Sequence, residues 1–222
     1  MRGLALISFL QDHWDAYVSG FSVTVRLVAV SFAVAMVVGT LVAALRVAPS
    51  VWLNRLGALY VETFRNVPLL VLLFISFAGV RRSGVDINAW VAGILSLGLY
   101  TAAYVAEALR SGVFSVGKGQ IEASLSLGMS YGKTLRHIVL PQAFRTVISP
   151  LGSLMIAMIK NSAIIGVSLL ALGDLLKEAR IVSSRTFQTD EAFFWAAVGY
   201  LLLTGAATLL IRGLERRYAI RR

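Results

Sequence analysis

Residues 17–45 read YVSGFSVTVRLVAVSFAVAMVVGTLVAAL, with Arg26 as the one charge in the run. A helix rises about 1.5 Å per residue, so this stretch is long enough to cross the roughly 30 Å hydrocarbon layer of a bilayer. Further apolar runs at 56–80, 87–109, 147–172 and 193–211 predict five transmembrane helices in an all-α integral membrane protein. The composition agrees: mean hydropathy is +0.78 and 14% of residues are charged, far from the mixed usage of a soluble domain. No long repeat, low-complexity tract or soluble-domain linker divides residues 1–222, so a single domain is expected.

An odd number of spans puts the termini on opposite sides, and the basic residues predict which is which. Arg46 and Arg55 follow the first span, Arg110, Lys118, Lys133, Arg136 and Arg145 follow the third, and Arg212, Arg216, Arg217, Arg221 and Arg222 follow the fifth. Lysine and arginine accumulate on the cytoplasmic side, so the N-terminus is expected outside and the C-terminus inside. On the opposite side Arg2, Arg81, Arg82, Lys177, Arg180 and Arg185 are offset by Asp12, Asp15, Asp86, Asp174, Glu178, Asp190 and Glu191. The first residues carry Asp12, His13 and Asp15 where a cleavable signal needs an apolar core, so that segment is expected to stay on the chain.

Several chemistries are disfavoured at once. There is no cysteine, and His13 and His137 lie far apart, so thiol and clustered-metal chemistry lack ligands. No H-E-x-x-H occurs, which argues against an intramembrane metalloprotease, and no G-x-x-x-x-G-K-[ST] loop occurs, so ATP is not expected to bind this chain. The net charge of +10 sits between apolar segments and in the tail, as juxtamembrane charges do, rather than forming a nucleic-acid surface.

The connection 110–146 is too polar to span and too patterned to be disordered. Helical spacing over 117–127 places Ile121, Leu125 and Leu127 among polar residues; Gly128 is suited to end that helix and Ser130 to cap a second one running to Leu140 before Pro141. By residue type alone this is either a docking element for another protein or a basic amphipathic segment lying on lipid headgroups.

Glu122, Ala123 and Ser124, then three residues to Gly128, then nine to Ile138, Val139, Leu140 and Pro141, resemble the EAA loop of ABC importer permeases, with Ser124 in place of the second alanine. Residues 60–70 (YVETFRNVPLL), 104–119 (YVAEALRSGVFSVGKG) and 159–164 (IKNSAI, with Ala163 as a departure) resemble signatures of the polar amino-acid permease family. The resemblance runs from Phe21 onward and implies the type I ABC importer permease fold in a bacterial plasma membrane. It also implies a second permease subunit, identical or not, two copies of a soluble ATPase that bind ATP and Mg, and an extracytoplasmic amino-acid-binding protein. In such an assembly 110–146 is the coupling loop, with Gly128 turning the chain, Glu122 offering a carboxylate, and Leu125, Leu127 and Met129 filling a groove on the ATPase. A standalone secondary transporter or channel is the alternative, needing no ATPase.

Ionisable groups at membrane depth require a partner or a wet surface. Arg26 is expected to snorkel outward. Glu62 and Arg65, three apart, are expected to pair, as are Glu107 and Arg110, which would brace the coupling loop. Asn66, Val67 and Pro68 interrupt the second span, where a break marks either a packed kink or a gate. Lys160, Asn161 and Ser162, with Met155 and Met158 on preceding turns, form a polar cluster in the fourth span and the expected substrate path. Lys160 is suited to a substrate carboxylate, or to a protein acid. No Asp or Glu lies in the core of that span, which favours glutamate or glutamine over a cationic amino acid.

Overall fold

The computed structural model describes residues 2–168 and 172–218; the expectations placed on 169–171, at the end of the fourth span, and on Arg221 and Arg222 lie outside the described residues. Every described element is helical. Helix α1 (Arg2–Asp12) leads at His13 into α2 (Trp14–Val47), followed by α3 (Val51–Asn66). Helix α4 (Leu69–Phe74) continues through a π turn, Ile75–Gly79, into the short α5 (Val80–Arg82). Then come α6 (Ala89–Phe114), α7 (Lys118–Ser126) and α8 (Tyr131–Thr134), and a second π turn, Leu135–Val139, joins α8 to α9 (Leu140–Gly166). Helices α10 (Leu175–Thr186) and α11 (Thr189–Tyr218) complete the chain.

Four stretches are long and apolar enough to cross a membrane: Trp14–Val47, Ala89–Phe114, Tyr131–Gly166 and Thr189–Tyr218. The pair Val51–Asn66 and Leu69–Arg82 passes the same test of length and composition only when taken together, as a broken span or a re-entrant loop, and is bent by 101° at the break. Val67 is extended at the bend, the conformation that a following proline imposes, and Pro68 has no N–H to continue the ladder.

Packing fixes the relative directions. A Cβ on Gly39 would stand 2.6 Å from Val105, and one on Gly98 would stand 2.9 Å from Val34, so bare glycines let α2 and α6 approach closely while running parallel. Ile211 packs on Gly152, and Phe144 meets Tyr218 edge to face, which sets α9 antiparallel to α11. The Tyr60 hydroxyl donates to the Leu99 carbonyl at 2.8 Å while Gly57 packs on Arg46, so α3 runs against α2 and α6. The main core joins Leu27, Leu73, Leu97, Val105, Met158 and Ile165 from α2, α4, α6 and α9.

Three expected boundaries are corrected. The third span runs on to Phe114, so the loop predicted from 110 begins as helix. The fourth ends at Gly166, and the loop after it contains α10, whose N-cap Asp174 supplies a start signal. The helix predicted to stop before Pro141 does not stop. The π turn widens the backbone through His137, the residue whose carbonyl a proline four positions on would strike, and α8 passes into α9 along one helical path from Tyr131 to Gly166.

Candidate functional site

At the end of the bundle where α6 emerges, α7 stops at a Schellman turn. Gly128 takes the left-handed conformation with φ +79°, its N–H donates to the Leu125 carbonyl at 2.9 Å, and the Met129 N–H donates to the Ser124 carbonyl at 3.1 Å. Glycine enters this region without the Cβ clash that other residues meet. Ser130 starts α8 from extended backbone, but its side chain makes no capping hydrogen bond. Ser124 and Thr134, 4% and 1% exposed, bring their hydroxyls within 2.9 Å between α7 and α8. Leu127, at 84%, and Leu125, at 43%, stand out in solvent beside exposed Glu122 and Ala123, while Met129 is half-buried. An apolar, acid-edged tip is thus presented on a hydrogen-bonded base.

Behind the tip, Glu107 gathers two cations. Arg110 donates to both its oxygens, at 2.8 and 3.1 Å, and Arg46 Nε reaches Oε1 at 3.3 Å. Arg46 also donates to Asn54 Oδ1 at 3.2 Å, extending the network from α6 and α2 into α3. The sequence reading used Arg46 only to orient the chain.

The ion pair expected between Glu62 and Arg65 is not formed. Both are exposed on α3, and the Arg65 guanidinium lies over the Tyr104 ring of α6, 5.2 Å from its centroid. A spacing of three permits a pair, but an aromatic face on a neighbouring helix offers this guanidinium another partner. Arg26 is exposed and donates to Ser22 Oγ at 3.0 Å, one turn earlier. Asn66 and Pro68 are exposed at the bend.

The polar cluster of α9 divides between two faces. Met158 and Ser162, four apart, are buried in the core, and Ser162 donates to the Ile159 carbonyl at 2.7 Å. Lys160, two residues from each, is carried about 200° around the helix and is exposed. Asn161 and Met155 are half-buried between these faces. A path built on Lys160 therefore lies on the outer surface of the single subunit.

In the sequence Asp174 counts only among the acids on the side opposite the basic segments. It is fully buried at the start of α10, accepts the Lys177 N–H at 3.1 Å, and has its carboxyl pushed up to about 6 by burial. The available signal was its position, an aspartate immediately before an apolar-periodic run.

Residues 35–220 match the family described as binding-protein-dependent transport system inner membrane component. The probable glutamine ABC transporter permease protein GlnM of Bacillus subtilis (strain 168) is 38% identical over 211 residues, covering 95% of this chain and 97% of that protein. The glutamate transport system permease protein GluC of Corynebacterium glutamicum is 37% identical over 223 residues, with the same coverages of 95% and 97%. Among solved structures, the crystal structure of an amino acid ABC transporter with histidines superposes with a TM-score of 0.88 at 31% identity, covering 94% of this chain and 96% of that one.

Proposed function

The chain belongs to the family of binding-protein-dependent transport system inner membrane components, and from that premise we propose that it is the permease subunit of an ATP-driven importer for a polar amino acid, glutamine or glutamate in the first instance. Relatives named for glutamine and glutamate transport support the substrate class. The positive-inside distribution supports a cytoplasmic location for the α7 tip and an external one for α10 in a bacterial plasma membrane. The permease itself performs no hydrolysis. ATP and Mg are bound by two copies of a soluble ATPase, and a second permease, identical or different, closes the path together with this chain. An extracytoplasmic binding protein delivers the substrate.

The observation that carries this reading is the tip of α7. Leu127 is 84% exposed next to a left-handed Gly128, and such a side chain is suited to fill an apolar socket on a partner. Lys160, exposed on α9, supplies a positive charge for the substrate carboxylate on the face that the second permease would cover.

Reconstitution with the ATPase and binding protein encoded alongside it tests the proposal. ATP hydrolysis should rise when glutamine or glutamate is titrated through the binding protein, and Gly128→Asp should abolish the rise. If no ATPase assembles with the chain, the importer reading fails and a standalone transporter is the better account.

A further inference from the structure

Helix α10 buries Leu175, Ala179 and Val182 in a core that it shares with α2 and α11. Its other side carries Lys177, Arg180, Ile181 and Ser184, whose spacing of three and four residues aligns them in one stripe. That stripe is one wall of a cleft of about 450 Å³, bounded also by Gly166 at the end of α9 and by Phe193 of α11. The volume is of the size that holds a small molecule.

The charge in this cleft is one-sided. Lys177 and Arg180 stand one turn apart, and neither makes an ion pair among the described residues. Like charges so placed on a helix repel each other, and an anion between them would relieve the repulsion. No carboxylate among the described residues lines the cleft. Of the two nearby acids of α10, Asp174 is buried behind Gly166, where it caps the helix, and Glu178 packs on Gly20 of α2. Ile181 and Phe193 add apolar surface beside the two cations.

We propose that this cleft is an entry site for a dicarboxylic amino acid, glutamate before glutamine. Lys177 and Arg180 take its carboxylates, and Ile181 and Phe193 pack on its methylenes. The lack of a lining acid turns cationic amino acids away. The inference rests on the proposed function, which puts α10 on the outside. Lys160 lies six residues before Gly166, about 9 Å along α9, so a solute released at the cleft enters the path from its outer end.

The chain has no cysteine, so Ser184→Cys puts a single thiol in the cleft. Its alkylation by a neutral maleimide is followed in the full chain reconstituted in phosphatidylcholine nanodiscs. L-Glutamate should slow the reaction, and L-glutamine should need about tenfold more for the same protection, the effect of one lost hydrogen bond to a charged group. Lys177→Gln with Arg180→Gln should abolish protection, whereas Arg180→Lys should keep it, which separates charge from folding. Protection that survives the double variant, or equal protection by glutamine or lysine, overturns the site. Slowing by phosphatidylglycerol in the nanodisc with none by glutamate also overturns it, and makes the cleft a lipid headgroup site. Protection by glutamate without any stimulation of ATP hydrolysis in the assembled wild type would sink the importer reading and leave the site standing. Stimulation without protection does the reverse.

Discussion

The Ser124 hydroxyl stands 2.9 Å from that of Thr134, and their proton order can be deduced. Ser124 has one proton and donates it to the Ile121 carbonyl at 2.8 Å, so Thr134 must be the donor to Ser124. The serine that stands where the EAA pattern has alanine therefore joins two helices that an alanine methyl would merely touch.

The order of donation makes the two deletions unequal. Ser124→Ala strands a buried Thr134 hydroxyl and should cost about 1–3 kcal/mol. Thr134→Val leaves Ser124 bonded to Ile121 and should cost less, and the double variant should recover part of the serine loss. Thermal unfolding of the four chains in detergent checks this; equal single losses would show that the deduced order is wrong.

Gly128→Ala forces a Cβ into the left-handed region at φ +79° with nothing else within 4 Å, so its effect is backbone strain alone, about 1 kcal/mol. Gly132→Ala, equally open but inside α8, should be neutral or mildly stabilising. Comparing the melting temperatures of the two variants separates turn geometry from side-chain bulk.

Glu107→Gln removes the charge that two guanidiniums share and should destabilise by about 1–2 kcal/mol, discounted for the partial exposure of the network. Arg46→Met and Arg110→Met, each leaving one pair intact, should cost less individually. Glu62→Gln, which has no ion pair with Arg65 to lose, should lie within about 0.5 kcal/mol of the parent. Denaturation midpoints of the four variants decide the ranking.

Asp174 gives a pH dependence of definite sign. Burial lifts its carboxyl from 3.8 to about 6, so the folded chain holds this proton more tightly than the unfolded chain. The resulting stabilisation is complete below 3.8 and is lost as pH rises through about 6. The interval from about pH 5 to about pH 7.5 brackets that loss. Stability should fall by about 1.4 kcal/mol between those pH values from this group alone, and Asp174→Asn should flatten that part of the curve. Melting curves of both chains across the interval provide the check.

Four of the spans were legible because apolar length is a strong signal, and the turn at Gly128 was legible because a glycine after a helical run marks a C-terminal stop. The division of Lys160 from Met158 and Ser162 was also written in the sequence: residues two apart on a helix face away from each other. Other features depend on the assembled bundle. No residue pattern announces the π turn that carries the helix past Pro141. The choice of Arg65 for Tyr104 over Glu62 depends on where α6 lies, and the burial of Asp174 depends on α2, α9 and α11 converging over it.

The unbroken path from Tyr131 to Gly166 makes one rod out of 36 residues, about 54 Å long at the usual helical rise. Thr134 lies near one end, tied to Ser124, and Gly166 is the other end, pressed against Asp174. A rod of that length is a lever: a tilt of about 5° about one end sweeps the other through about 5 Å. Small rotations applied at α7 are therefore magnified at the far end of α9, with stiffness set by how firmly the wide turn at Leu135–Val139 and the missing ladder bond at Pro150 inside α9 resist bending.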